Sequence, residues 1–98
     1  MRLDIKQKAA LKAALKNLNS NDQAFLYGSR VDDSKRGGDI DLLIYSQQAS
    51  FSLSRKIIRD FFKLCEEKID VVVIDPEVMT QEQNLFVQSI KKQTLTQP

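Results

Sequence analysis

Apolar and polar positions along the first half of the chain alternate with two different spacings. Leucines at helical spacing, with lysines along another face, predict a helix over residues 3–18. A short apolar and aromatic run predicts a strand over residues 23–27 that ends at Gly28, and an Ile- and Leu-rich run predicts a second strand over residues 39–45. The polar segment 29–38 lies between these two strands.

The second half of the chain continues with two helices and one strand. Residues 52–68 carry apolar side chains along one side, which predicts an amphipathic helix. Residues 69–74 are nearly all β-branched and predict a third strand. Thr80 is a typical N-cap, so a last helix is expected to run through residue 92, with Phe86 and Ile90 facing the core. The order α-β-β-α-β-α predicts an α/β (α+β) fold with a small three-stranded sheet.

Composition narrows the class of protein. The 98 residues are enough for a single domain, residues 1–98. Fifteen basic and 13 acidic residues give a net charge of +2, so no direct nucleic-acid binding is expected, and the lack of a long apolar run indicates no membrane span. The single cysteine fits a reducing, cytoplasmic location. The absence of histidine excludes Ser-His-Asp catalysis and histidine-ligated zinc.

Three aspartates are expected at one edge of the predicted sheet. Asp39 and Asp41 are two residues apart on a strand, so both carboxylates point to the same face. The helix before the third strand is long enough for a parallel crossover, which places Asp70 at the edge where the second strand begins. From spacing alone, Asp39 and Asp41 could also be solvent-facing residues at the start of a strand, and Asp70 could be a turn residue.

The surroundings of these aspartates favour a binding site. Clustered carboxylates beside an apolar strand repel one another unless a cation lies between them, and a hard divalent cation is the usual solution. Gly28 and Ser29 end the preceding antiparallel strand at the same edge, where a glycine and a hydroxyl suit a phosphate group. Arg30 either compensates phosphate charge or belongs to a solvated loop. Tyr27 and Tyr45 are interpreted as core residues.

The motifs resemble those of the minimal nucleotidyltransferases, the smallest members of the polymerase-β-like nucleotidyltransferase superfamily. The resemblance covers about residues 20–92 and rests on three segments: Phe25-Leu26-Tyr27-Gly28-Ser29-Arg30, Gly37-Gly38-Asp39-Ile40-Asp41-Leu42-Leu43-Ile44 and Ile69-Asp70-Val71-Val72. It implies a mixed sheet with strands in sequential order, and ATP or another NTP as substrate. It also implies that Asp39, Asp41 and Asp70 hold two Mg²⁺ ions and that Gly28 and Ser29 bind the β- and γ-phosphates.

The resemblance also implies a set of functions. The first is an adenylyltransferase that moves AMP to an acceptor hydroxyl, as the antitoxin of a pair with a helical HEPN-domain toxin. The second is a non-catalytic module that neutralises such a partner by contact. The third, an aminoglycoside-type nucleotidyltransferase, is disfavoured because those enzymes carry an additional helical domain. A thin core and exposed sheet edges leave a homodimer open as a further assembly.

Overall fold

The computed structural model describes residues 3–28 and 40–95. Their elements, in chain order, are α1 (Ile5–Ala14), a 3₁₀ turn (Leu15–Asn17), β1 (Gln23–Tyr27), β2 (Ile40–Tyr45), α2 (Ser50–Leu64), β3 (Ile69–Ile74), α3 (Gln81–Ser89) and β4 (Lys92–Thr94). The mixed α and β composition is confirmed, and all six predicted elements are present, with ends that differ from the prediction by at most four residues. The difference reaches four residues at α2, which ends at Leu64 instead of residue 68. None of the helices in these two ranges is long and apolar enough to cross a membrane.

The strands form one mixed sheet in the order β3-β2-β1-β4. β1 runs antiparallel to β2, and β2 runs parallel to β3. The prediction that β3 lies parallel to β2 after a helical crossover is therefore confirmed. The prediction of three strands is wrong, because β4 pairs with the free edge of β1. The prediction that the last helix reaches residue 92 is wrong as well, since Ile90 is already extended.

The main core lies on one face of the sheet, beneath α1 and α2. Alternation along β2 turns Ile40, Leu42 and Ile44 to this face, and all three are buried. β1 adds Ala24 and Leu26 and β3 adds Ile69. The helices contribute Ala10, Leu11 and Ala14 of α1 and Leu53, Ile57 and Phe61 of α2. Burial of these side chains is the largest favourable contribution to folding.

Polar contacts fix α1 against α2. Asp4 and Gln7 form a capping box at the start of α1, in which the Gln7 N–H donates to Asp4 Oδ1 over 2.7 Å. The Gln7 side chain is buried, and its Nε2 donates to Glu67 beyond the end of α2. At the other end of α1, Asn17 Nδ2 donates to Asp60 Oδ2 over 2.9 Å. These bonds satisfy polar groups at the boundary between the two helices.

The opposite face of the sheet, called here the outer face, carries aromatic side chains and α3. Phe25 and Tyr45 meet edge to face with ring centroids 5.2 Å apart. The predicted N-cap of α3 is confirmed, because Thr80 Oγ1 accepts from the Gln83 N–H. Phe86 of α3 lies edge to face with Tyr27, with ring centroids 5.5 Å apart, so it packs on the outer face. The prediction that Phe86 faces the main core is therefore wrong.

Two neighbouring phenylalanines of α2 test this division of the helix. Phe61 is fully buried, whereas Phe62 is 53% exposed. We expect Phe61→Ala to lower the free energy of unfolding by about 3–5 kcal/mol, because it leaves a cavity in the core. The matched variant Phe62→Ala should change it by less than about 0.5 kcal/mol. Urea unfolding followed by circular dichroism measures both, and equal effects would contradict the burial of this face.

Candidate active site

Four side chains form a row across the outer face of the sheet. Asp41 of β2 is in register with Asp70 of the parallel strand β3. Tyr27 of β1 is paired with Asp41, and Lys92 of β4 is paired with Tyr27. Residues paired in register point to the same face of a sheet. The row therefore lies where β1 ends and where β2 and β3 begin.

The two carboxylates of the row contribute to a change in the pKa of the Tyr27 phenol. The pKa of Tyr27 is raised above its ordinary value, first by partial burial and then by the negative charges of Asp41 and Asp70. Both aspartates thus lie on the side of the sheet to which Tyr27 points. Asp70 is exposed to solvent and Asp41 is partly buried. Two carboxylates and the Lys92 side chain therefore share this end of the outer face, where Asp70 is accessible to solvent.

Gly28 brings the backbone close to the Asp41 carboxylate. Its φ is +78°, in the left-handed region that glycine adopts without the steric cost of a side chain. A Cβ built on Gly28 would lie 2.5 Å from Asp41 Oδ2, well inside van der Waals contact. Glycine is therefore required at this position both by the turn that ends β1 and by the carboxylate beside it.

The structure brings together three of the six predicted site residues. Gly28, Asp41 and Asp70 converge at one end of the sheet, as the parallel crossover predicted. The other three, Asp39, Ser29 and Arg30, lie outside the described residues, so their placement stays a prediction. Within residues 3–28 and 40–95 no three metal-ligating side chains form a cluster.

The sequence reading did not assign two members of the row. Tyr27 was interpreted as a core residue, yet its ring is shared between Phe86 and the carboxylates. Lys92 was placed at the end of a helix, but it begins β4, and its ammonium lies 5.7 Å from the centre of the Phe25 ring. The position of Tyr27 directly before Gly28 was a usable signal. No pattern in the sequence marked Lys92.

The donor set fits a hard divalent cation. Asp41 and Asp70 present carboxylate oxygens from neighbouring strands, and oxygen is the donor that Mg²⁺ prefers. The absence of a side chain on Gly28 leaves the space beside Asp41 Oδ2 free of a Cβ. Asp41 and Asp70 are therefore candidate ligands of a Mg²⁺ ion, and the backbone at Gly28 lies directly beside the Asp41 carboxylate.

Gly28→Ala tests the contact between the turn and Asp41. We expect a loss of about 1–3 kcal/mol in the free energy of unfolding, because the new Cβ meets Oδ2 in a strained backbone conformation. Part of this loss should disappear in the Asp41→Ala background, which removes the carboxylate. A double-mutant cycle from chemical denaturation measures that coupling. Strictly additive effects would show that the two residues do not touch.

The ionisation of Tyr27 tests the position of both aspartates. We expect Asp41→Asn and Asp70→Asn each to lower the pKa of Tyr27, because each removes a negative charge that disfavours the phenolate. Since this pKa is raised in the folded state, the associated stability is present below the ordinary value of about 10 and is lost as pH rises past it. Tyrosinate absorbance in a Tyr45→Phe background measures it, and Asp75→Asn is the control.

Comparison with known families agrees with this geometry. Residues 9–94 match the family model described as "Polymerase beta, Nucleotidyltransferase". A search of curated proteins found no match. The matched segment contains every strand of the sheet and the aspartates of β2 and β3. The match spans most of the chain, and the chain belongs to the polymerase β nucleotidyltransferase family.

Proposed function

We propose that this protein is a Mg²⁺-dependent adenylyltransferase that moves AMP from ATP to an acceptor hydroxyl. The acceptor oxygen forms a bond to the α-phosphorus, the bond from that phosphorus to the bridging oxygen breaks, and pyrophosphate leaves. The proton of the hydroxyl is released. The family match supports nucleotidyl transfer in general. The choice of ATP and of a hydroxyl acceptor rests on the resemblance to minimal nucleotidyltransferases.

The in-register pairing of Asp41 with Asp70 is the observation that carries this proposal. Two carboxylates on neighbouring strands repel each other and repel a triphosphate as well. Their placement on one accessible face is therefore useful when cations are present with the nucleotide. Bound Mg²⁺ would supply the positive charge that stabilises the entering and leaving oxygens of the displacement.

The residues of the chain have distinct roles in this proposal. Asp41 and Asp70 would hold the cations together with Asp39, and Asp70 would ligate the cation that activates the acceptor hydroxyl. Gly28 and Ser29 receive the β- and γ-phosphates, because a glycine turn permits close approach and a hydroxyl can donate to phosphate oxygens. Arg30 compensates the phosphate charge. The protein thus contributes position and electrostatics, and no covalent intermediate is needed.

The biological role that we propose is that of an antitoxin. In this role the chain modifies a helical HEPN-domain partner, and a tyrosine of that partner is the acceptor. The outer face carries the carboxylates at an accessible end of the sheet, where a side chain from another protein can approach Asp70. A contact-only antitoxin is the alternative that the next experiment separates.

Asp41→Asn is the sharpest variant for this test, and Asp75→Asn is its matched control at the opposite end of β3. Wild-type protein with ATP, Mg²⁺ and the product of the adjacent gene should release pyrophosphate and label that product. Asp41→Asn should lower the rate by about 10²-fold or more, because it weakens cation binding where charge develops. Asp75→Asn should keep wild-type activity, and EDTA should abolish the reaction.

Binding measurements distinguish the alternatives. Mn²⁺ titration followed by electron paramagnetic resonance should show binding to the wild type that Asp41→Asn weakens and Asp75→Asn does not. Full activity of Asp41→Asn would refute the proposed site. A partner that binds tightly and is never labelled would leave the contact-only antitoxin. Labelling of an aminoglycoside instead would identify a small-molecule enzyme.

A further inference from the structure

Helix α2 carries a second apolar surface besides the one that it buries. Leu53, Ile57 and Phe61 face the core, whereas Phe51 and Phe62 are 72% and 53% exposed. Ile58, between them in sequence, is 39% exposed. Spacings of seven and four residues place Phe51, Ile58 and Phe62 on one side of the helix. These three residues are called the α2 stripe below.

The α2 stripe borders the free edge of the sheet. A shallow cavity of about 260 Å³ lies between α2 and β3 and is lined by Ser50, Phe51, Ser54, Val71 and Val73. β3 is the last strand on this side in the order β3-β2-β1-β4. The apolar surface therefore continues from the helix onto the edge strand. The cavity adjoins the first turn of α2, and the α2 stripe continues from it along the helix to Phe62. The stripe and this cavity together are called the groove below.

Positive charge lines the other side of the α2 stripe. The helix Ser50–Leu64 contains four basic residues and one acidic residue, a net charge of +3 against +2 for the whole chain. Arg55 stacks over the Phe51 ring at 5.5 Å, so one cation lies directly on the stripe. Arg59 and Lys63 share the single carboxylate of Asp60, at 3.0 and 3.6 Å. Basic side chains therefore flank the α2 stripe on the side away from the cavity beside β3.

From these features we infer that the α2 stripe is the docking surface for an acidic amphipathic helix of a partner protein. Helical spacing along the stripe suits the side chains of a second helix, whose apolar face enters the groove. Glutamates or aspartates on the flank of that helix meet Arg55 and Arg59. The inference rests on the proposed function only for the presence of a partner protein.

Charge argues against a second copy of this chain as the occupant. A two-fold symmetric contact through the α2 stripe would bring two helices of charge +3 against each other. Like charges at an interface oppose association. Three large apolar side chains in the groove likewise suit a protein helix better than a phosphate backbone, for which cations alone suffice.

The docking surface has a defined relation to the candidate active site. In the β2-α2-β3 crossover, α2 runs antiparallel to both strands, so its C-terminal end lies near the start of β3. Phe62 is therefore at the end of the helix closest to Asp70. A partner that lies along α2 and the β3 edge can reach the outer face around that edge, where it can present a hydroxyl to the carboxylates.

Two synthetic peptides test the charge and the apolar character of the partner. Both are stapled helices of about four turns with leucines on one face. One carries glutamates on its flanks and the other carries lysines. Fluorescence anisotropy with the 98-residue chain should show binding of the glutamate peptide and at least about tenfold weaker binding of the lysine peptide. Similar binding of both peptides, or binding of neither, would overturn the inference.

Variants of the chain locate the contact. Two double variants should each bind the glutamate peptide about tenfold or more weakly than the wild type. The first is Phe51→Ser with Phe62→Ser, and the second is Arg55→Glu with Arg59→Glu. Leu85→Ser is the control, because Leu85 is 59% exposed on α3, which packs on the opposite face of the sheet. Asp41→Asn should bind normally, which separates this result from any failure of the proposed catalysis. Unchanged binding by both double variants would refute the assignment.

Light scattering of the peptide-free chain provides the remaining test. We expect the same mass for the wild type and for Phe51→Ser with Phe62→Ser at every concentration measured. A dimer that this double variant abolishes would show that the stripe pairs with a second copy, against the inference. Circular dichroism should show that the serine and glutamate variants remain folded, because each of the side chains changed in them is exposed.

Discussion

The parallel register between β2 and β3 is the constraint on which both faces of the molecule depend. Ile40 is paired with Ile69 on the core face and Asp41 with Asp70 on the outer face, and the four pairs that follow contain no charged residue. A shift of one residue would turn isoleucines to the outer face and carboxylates into the core. The burial that stabilises the fold therefore also specifies the position of the acidic pair.

Gly28 joins the end of the antiparallel strand β1 to the acidic pair. Its left-handed backbone ends β1 where the Asp41 carboxylate lies, so the turn and the acidic pair are built against each other. Tyr27, one residue earlier, closes the other side of the site with its ring against Phe86. A glycine turn, a phenol and two carboxylates thus occupy one end of a small sheet. Partial burial, and after it the negative charges of Asp41 and Asp70, raise the pKa of Tyr27 in this arrangement.

The sequence predicted most of the fold because its periods were unambiguous. The β-branched run of β3 and the amphipathic pattern of α2 together predict a parallel crossover, and with it the position of Asp70 beside Asp41, which the structure confirms. It missed β4 because Lys92–Thr94 is short, polar and exposed, and such strands carry no apolar alternation. Edge strands with lysine commonly look this way, since charge discourages pairing with other chains. Lys92 lies beside Tyr27 only because β4 pairs with β1, so its place in the row could not be predicted without β4.

The sheet separates the proposed active site from the proposed docking surface, and the two meet at β3. The outer face holds the acidic pair, and the opposite side carries α2 with its basic and apolar stripe. In our proposal, the acidic pair attracts cations with their nucleotide, and the basic residues of α2 attract acidic side chains. β3 belongs to both surfaces, through Asp70 on the outer face and through Val71 and Val73 beside α2. A partner docked along α2 and β3 would lie close to the acidic pair, while its binding energy would come from residues other than the proposed cation ligands.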